Sequence, residues 1–102
     1  MVLMDKMRPW LSSYPEGVPT EINPSQYPSL KELLEHSFRE FAELPAFSNL
    51  GTTLNFAQVE QFSRYFAAYL QSATGLESGD RVAIMMPNLL QYPVVVFGIL
   101  RA

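Results

Sequence analysis

The chain contains no cysteine and only one histidine, His36. The absence of cysteine excludes a disulfide, a thiolate nucleophile and a cysteine-ligated metal from these 102 residues. One imidazole does not make the ligand set of a zinc site. A chain without cysteine fits a reducing compartment.

Glycine pairs and basic clusters are missing as well. The five glycines, at positions 17, 51, 75, 79 and 98, form no Gly-x-Gly motif, so no phosphate loop of that type is predicted. The seven basic residues are scattered and the net charge is −3. This distribution argues against nucleic-acid binding and against a polybasic membrane anchor. Charged residues make up only 17% of the chain, below the usual quarter, which suggests that much of its surface is covered in use.

One stretch is long and uncharged. Val82 to Leu100 has nearly the length of a membrane span, but two prolines and two amide residues interrupt it. We therefore prefer a buried strand followed by a buried helix, with a membrane helix as the alternative. Residues 1–14 lack the apolar run of a secretory signal.

The first 28 residues hold five of the eight prolines, which predicts an extended arm and not a folded unit. The arm also carries apolar side chains, namely Trp10, Leu11, Tyr14, Val18, Ile22 and Tyr27. We expect it to lie along a surface, either of this chain or of a partner.

A helix is predicted from Ser29, because Ser29 and Glu32 have the spacing of a capping box, and Pro45 ends it. Its opposite face is charged and includes a Glu35–Arg39 pair. The apolar face comprises Leu30, Leu33, Leu34, Phe38, Phe41 and Ala42. A short hairpin follows, with residues 46–48 and 52–54 on either side of a glycine-containing turn.

A second helix follows the hairpin. Asn55 is its predicted N-cap, with Gln58 three residues later, and Gly75 occupies the left-handed position that closes it. Its apolar face comprises Phe56, Val59, Phe62, Phe66, Tyr69 and Leu70. Residues 76–80 form a turn.

Residues 81–86 are the strongest strand prediction. From Val82 the segment is continuously apolar, which is typical of a parallel strand buried on both faces. Pro87-Asn88 ends it, and a returning helix is predicted from Leu89 to Ala102, with Pro93 in its first turn or at a kink.

A parallel strand needs a parallel neighbour, reached by a crossover helix. The crossover helix is present, but no strand follows it within the 102 residues. We therefore predict an α/β fold that is incomplete. It divides into a proline-rich arm, residues 1–28, and an unfinished α/β subdomain, residues 29–102, of a larger protein.

No residue of the chain is predicted to be catalytic, to bind a cofactor or to bind a metal. His36 is better explained as a boundary side chain, and the helical carboxylates Glu32, Glu35, Glu40 and Glu43 as a solvated face. Asn88 follows a strand end, where α/β proteins bind ligands, but helix capping is the preferred role. The N-terminal methionines Met1, Met4 and Met7 could form an apolar contact patch.

Nearly the whole chain, from Trp10 to Ala102, resembles the N-terminus of bacterial long-chain fatty-acid–CoA ligases, of the adenylate-forming acyl-activating superfamily. The similar stretches are Trp10-Leu11, Tyr14-Pro15, residues 18–24 (VPTEINP), residues 66–71 (FAAYLQ) and residues 79–93 (GDRVAIMMPNLLQYP). The superfamily as a whole shares only residues 79–82, Pro87-Asn88 and residues 100–102.

The resemblance implies a much longer enzyme that joins a fatty acid to ATP, releases pyrophosphate and passes the acyl group to CoA, with magnesium on the phosphates. The catalytic residues of that family lie beyond Ala102, so the resemblance assigns none here and implies that the 102 residues alone are inactive. It also implies a cytoplasmic protein, with a homodimer and a peripheral place on the inner face of the membrane as further expectations.

Two other interpretations stay open. The chain could be a stand-alone interaction module that uses its apolar last helix and aromatic arm. The parent could also activate a different acid, because the acyl pocket is not in this segment. In either case we expect the isolated chain to associate with itself, because its apolar surface is uncovered.

Overall fold

The computed structural model describes residues 7–102, which form three helices, one hairpin and a long N-terminal segment. The helices are α1 (Leu30–Glu40), α2 (Phe56–Ala73) and α3 (Gln91–Arg101), and the hairpin strands are β1 (Pro45–Asn49) and β2 (Thr52–Asn55). The predictions for Met1 and Met4 lie outside the described residues.

The segment before α1 forms local turns. A 3-10 turn spans Pro9–Ser13, and Val18 N–H donates to the Pro15 carbonyl beside Gly17, whose φ is +85°. Arg8 closes residues 8–21 into a loop, because its guanidinium pairs with Glu21 and donates to the Thr20 carbonyl at 3.0 Å. We expected the apolar side chains of this segment to pack along a surface of the chain or of a partner. Four of them are exposed in the described chain, namely Trp10, Tyr14, Val18 and Ile22. The division of the chain at residue 28 stays a prediction.

Helix α1 has Ser29 as its N-cap, as predicted, with the Ser29 side chain accepting from the Glu32 N–H at 3.1 Å, but the reciprocal bond of the predicted capping box is not formed within residues 7–102. It ends at Glu40 and not at Pro45, because Phe41 leaves the helical region and Pro45 opens β1. Only Phe38 of its predicted apolar face is fully buried.

The predicted hairpin is confirmed. Strands β1 and β2 pair antiparallel, with Phe47 opposite Leu54 and an irregularity at Ala46. Leu50 and Gly51 form the turn with φ of +49° and +82°, the sign that a two-residue hairpin loop requires. A leucine in this region costs about 1–2 kcal/mol relative to its ordinary conformations.

Helix α2 has the full predicted capping box. Gln58 N–H donates to Asn55 Oδ1 at 2.8 Å, and Asn55 N–H donates to Gln58 Oε1 at 2.9 Å. The helix ends at Ala73, and Gly75 has the predicted positive φ, +70°.

The buried face of α2 confirms the prediction for Val59 and Leu70 and differs from it elsewhere. The buried residues are Val59, Ser63, Ala67 and Leu70, whereas Phe62 and Tyr69 of the predicted face are largely exposed. The reason is the close approach of α3. A Cβ on Gly98 would lie 2.7 Å from Phe66 Cδ1 and 3.1 Å from the Ser63 carbonyl oxygen, so small side chains define this interface. Gly98 leaves room for the Phe66 ring, and a side chain at position 98 would hold the helices apart.

Helix α3 follows Pro87-Asn88 as predicted but begins at Gln91, two residues later than Leu89. Pro93 is its third residue, where the missing N–H costs no helical hydrogen bond. No helix of the described residues is both long enough and apolar enough to cross a membrane.

Residues 81–87 have no regular secondary structure, so the predicted strand is not formed within residues 7–102. A strand exists only through hydrogen bonds to a neighbour, and the one sheet of the described region is the β1–β2 hairpin. The prediction that both faces are buried is also wrong here. Val82, Ile84 and Met86 are half-buried, while Arg81, Ala83 and Met85 are exposed. This alternation is that of an extended segment covered on one face.

The chain is more open than a compact protein of its size. Its accessible surface is 8163 Å², about 2,300 Å² more than the scaling law gives for 11.6 kDa. Its radius of gyration is 18.1 Å, against about 13 Å for a compact domain of this length. The buried residues of the described chain lie on the three helices, where these pack together.

Candidate functional site: the Arg101 junction and the α3 groove

Arg101 joins all three helices. Its Nη1 donates to the Glu60 carbonyl oxygen and to Ser63 Oγ, both at 2.9 Å, and its Nη2 lies 3.2 Å from Glu60 Oε1. On the α1 side, the guanidinium lies 5.4 Å from the centre of the Phe38 ring, and Nε is 3.9 Å from Glu35 Oε1. The Arg101 side chain is only 10% exposed, so these contacts replace its hydration.

Two arginines donate hydrogen bonds to the Glu60 carboxylate. Besides Arg101, Arg64 Nε donates to Glu60 Oε1 at 2.9 Å from the next turn of α2. Partial burial of Glu60 raises its pKa, but hydrogen bonds from Arg64 and Arg101, together with their charges, outweigh burial and hold the pKa below the usual 4.5. The carboxylate is therefore ionised at neutral pH and acts as a fixed anion between the helices.

This arrangement is structural and not catalytic. Both acidic groups face a guanidinium, which cannot take or release a proton near neutral pH. Ser63, which is fully buried, donates to the Glu60 carbonyl at 3.0 Å and accepts from Arg101, so it has no base to activate it. The junction orients α3 against α1 and α2.

An aromatic cluster continues the junction toward the hairpin. Phe97 of α3 lies between Phe38 of α1 and Phe47 of β1, at centroid distances of 6.2 and 6.1 Å. Tilted and edge-on pairs at these distances are the favourable geometries of aromatic rings. The cluster fixes the hairpin relative to α3.

Beyond Phe97 an open groove of about 510 Å³ lies between the hairpin and the first two turns of α3. Its apolar walls are Phe47, Leu89, Leu90, Pro93, Val96 and Phe97. Asn49 Nδ2 donates to the Asn88 carbonyl oxygen at 3.3 Å across one end. Apolar concave surfaces of this size are where proteins hold ligands or other protein segments.

The residues weighed in the sequence do not converge on one site. His36 is exposed, and its ring lies 5.5 Å from that of Tyr27. The Glu35 carboxylate is half-buried and points to Arg101, so the expected Glu35–Arg39 pair is not formed within residues 7–102. Glu32, Glu40 and Glu43 are exposed.

The capping role preferred for Asn88 is wrong. Leu90 is the N-cap of α3 and makes no side-chain cap, whereas Asn88 meets Asn49 through its backbone. The capping pattern failed because the helix starts later than Leu89. Met7 is exposed.

The sequence analysis did not predict the role of Arg101. The signal available in the sequence was the position of a charged residue at the end of a helix that is otherwise uncharged.

The residues described here do not fit a magnesium or nucleotide site. No group of three acidic, histidine or cysteine side chains that could hold a metal ion occurs within residues 7–102. Gly75 and Gly79, with φ of +70° and +92°, form a helix end and a turn and not a phosphate cradle. Asp80 fixes that turn, because its carboxylate accepts from the Glu77 N–H at 2.9 Å.

Comparison with known proteins defines the class. The family model described as AMP-binding enzyme matches residues 34–102, and this range includes every residue that Arg101 contacts at the junction. The chain belongs to this family of AMP-binding enzymes.

The similar relatives carry a more particular name. A protein of Salmonella typhimurium named long-chain-fatty-acid–CoA ligase is 60% identical over 93 residues, which are 91% of this chain and 17% of that protein. A protein of the same name from Yersinia pestis is 55% identical over 91% of the chain and 16% of its own length. A third, from Bacillus subtilis, is 36% identical over 97% of the chain and 17% of its own length. No solved structure matches the chain.

These relatives confirm the resemblance found in the sequence. The chain matches the N-terminal part of long-chain fatty-acid–CoA ligases, and it spans about one sixth of the length of the curated relatives.

Proposed function

We propose that the chain is the N-terminal part of a long-chain fatty-acid–CoA ligase and serves as scaffold for an active site built elsewhere. The observation that carries the proposal is the 60% identity over 91% of the chain to a relative with that name. The complete enzyme would convert a fatty acid and ATP to acyl-AMP and pyrophosphate, and then transfer the acyl group to CoA.

The chain's own residues have a scaffolding part in this reaction. Arg101 and Glu60 hold α3 against α1 and α2, and residues 81–86 have no strand partner in the described chain. We infer that in the complete enzyme residues 81–86 are a parallel strand, joined through α3 to a following strand. ATP, magnesium and CoA would be held by residues of the longer chain.

The test compares the full-length protein with residues 1–102 alone. Full-length protein should release pyrophosphate when given ATP, magnesium and a long-chain fatty acid, and should form acyl-CoA once CoA is added. The 102-residue chain should form none. Turnover by the short chain, or an inactive full-length protein that is folded, would contradict the proposal.

The acid class needs its own experiment. Full-length protein should prefer long-chain acids to acetate, benzoate and amino acids in pyrophosphate release. A preference for one of the latter would retain the adenylate-forming class and reject the long-chain assignment. Oligomeric state and membrane association of the full-length protein can be measured on the same preparation.

A stand-alone interaction module is the second candidate. It is favoured by the number of large apolar side chains that are exposed, among them Trp10, Ile22 and Met85. A stop codon directly after the codon for Ala102 in the source message would support this candidate, whereas an open reading frame would support the ligase.

A further inference from the structure

The hairpin turn presents an apolar side chain in a costly conformation. Leu50 is the one residue other than glycine with a positive φ among residues 7–102, at +49°. Its side chain is 92% exposed. Asparagine or glycine would occupy this turn position without strain and without apolar exposure. The Leu50 side chain gains almost no burial from the described part of the chain.

The hairpin holds Leu50 in a fixed place. Ser48 and Thr53 hydroxyls share a hydrogen bond of 2.6 Å across the strands, at the second residue pair from the turn. Asn49, the residue before Leu50, is tied to Asn88, and Phe47 packs against Phe97. The turn is therefore anchored to α3.

The apolar groove lies beside this turn. Asn49 lines it, and so do Phe47 on the hairpin and Leu89, Pro93 and Val96 on the other side. Leu50 directly follows Asn49, which lines the groove, and we call Leu50 together with the groove the tip surface. Leu50 and Leu89 of the tip surface are exposed in the described chain.

The relatives and the course of α3 indicate what covers the tip surface. About five sixths of each relative lies outside the matched region, so much chain is available in the complete protein. Contacts of Arg101 hold the end of α3 in place, and α3 is about 16 Å long. A strand that leaves Ala102 and runs back along α3 would reach the groove after about five residues.

We propose that the segment about five to ten residues beyond Ala102 in the complete ligase packs into the tip surface, with Leu50 as an anchor in its contact. This inference rests on the proposed function, because it requires the longer chain. It assigns Leu50 a role in docking the hairpin to the following segment. The strain at Leu50 is retained because the contact needs an apolar side chain there.

The test labels a cysteine in full-length protein whose other cysteines, where present, are replaced. The Leu50→Cys variant should react with a maleimide at least tenfold more slowly when folded than when unfolded in urea. The control variant, Ser78→Cys in the exposed turn before residue 81, should react at nearly its unfolded rate. Equal rates for the two folded variants would overturn the inference.

Two further measurements identify the occupant. Protection of Leu50→Cys that disappears on hundredfold dilution would mean that a second copy covers the surface, and the proposed occupant would be wrong. Leu50→Asn should lower the melting temperature of full-length protein by several degrees, whereas at an open turn relief of strain would raise it. A raised melting temperature would contradict the inference.

Failure here is distinguishable from failure of the proposed function. Pyrophosphate release is measured on the unmodified full-length protein and does not depend on Leu50. An active ligase with a rapidly labelled turn would reject the docking of Leu50 and leave the proposed function standing.

Discussion

At the Arg101 junction, the guanidinium of α3 donates to two residues of α2 and lies against Glu35 and Phe38 of α1, whereas residues 81–86 offer backbone groups that no strand of the described chain pairs. Burial differs in the same way. Val59 and Ser63 near the junction have no exposed surface, while the Met85 side chain is 99% exposed. The first region is complete within these residues and the second is not. Stability should therefore respond strongly to changes at the junction and weakly to changes at the open edge.

The largest effect is expected at the α2–α3 contact. Gly98→Val should lower the free energy of unfolding of the chain by about 3 kcal/mol, because its side chain would overlap Phe66 and the Ser63 carbonyl. Ala68→Val, on the exposed side of α2, is the matched control and should cost only about 0.5 kcal/mol. Urea unfolding at low protein concentration measures both. Equal effects would mean that the helices do not approach closely.

The two arginines on Glu60 provide the next test. Arg101→Met should cost about 2 kcal/mol, since Glu60 and Ser63 each lose one hydrogen-bond partner in a partly buried place. Arg64→Met removes a more exposed pair within one helix and should cost under about 0.5 kcal/mol. Similar losses for both variants in urea unfolding would contradict the conclusion that the contacts of Arg101 stabilise the chain more than those of Arg64.

The cap of α2 should have an intermediate effect. Asn55→Ala removes the acceptor of the Gln58 N–H and should cost about 1 kcal/mol. Asn55→Asp keeps an acceptor and should stay within a few tenths of a kcal/mol of the original chain. If Asn55→Ala leaves the melting temperature unchanged, the hairpin and not the cap determines where the helix starts.

Acid should weaken the junction. The pKa of Glu60 is lowered in the folded chain, so its contribution is present above about 4.5, the usual value, and is lost as pH falls through the folded value. Glu60→Gln cannot titrate, so its free energy of unfolding should fall less steeply below pH 4.5. Parallel slopes for the two chains in acid urea titrations would refute a lowered pKa.

The smallest effect is expected at the open edge. Met85→Ser should change the free energy of unfolding of the 102-residue chain by less than about 0.5 kcal/mol, because the side chain has no contact to lose. In the full-length protein the same change should be clearly destabilising. A large loss in the short chain would show that Met85 is already covered.

Local patterns predicted the elements that depend on neighbouring residues. The caps at Ser29 and Asn55, the hairpin turn and the left-handed Gly75 were all readable, because each uses side chains or glycines within a few positions. The buried face of α2 was not, since the close approach of Gly98 favours Ser63 and Ala67 over larger apolar neighbours. The strand at 81–86 needs a neighbour that these residues do not contain.

The candidate site was not predicted from the sequence. The structure shows a junction around Arg101 and an apolar groove, and the expectation that these residues include no catalytic group stays a prediction. Arg101 was overlooked because its partners Glu35 and Glu60 lie far away in sequence, where spacing gives no signal. Similarity to the ligases supplied the family, which local physics could not.

The most direct test of the account is amide hydrogen exchange at residues 81–86, in the 102-residue chain at low concentration and in the full-length protein. The account predicts fast exchange in the short chain and exchange slowed at least a hundredfold in the long one, where a neighbouring strand would bond these amides. Fast exchange in both proteins, or protection already present in the short chain, would contradict it.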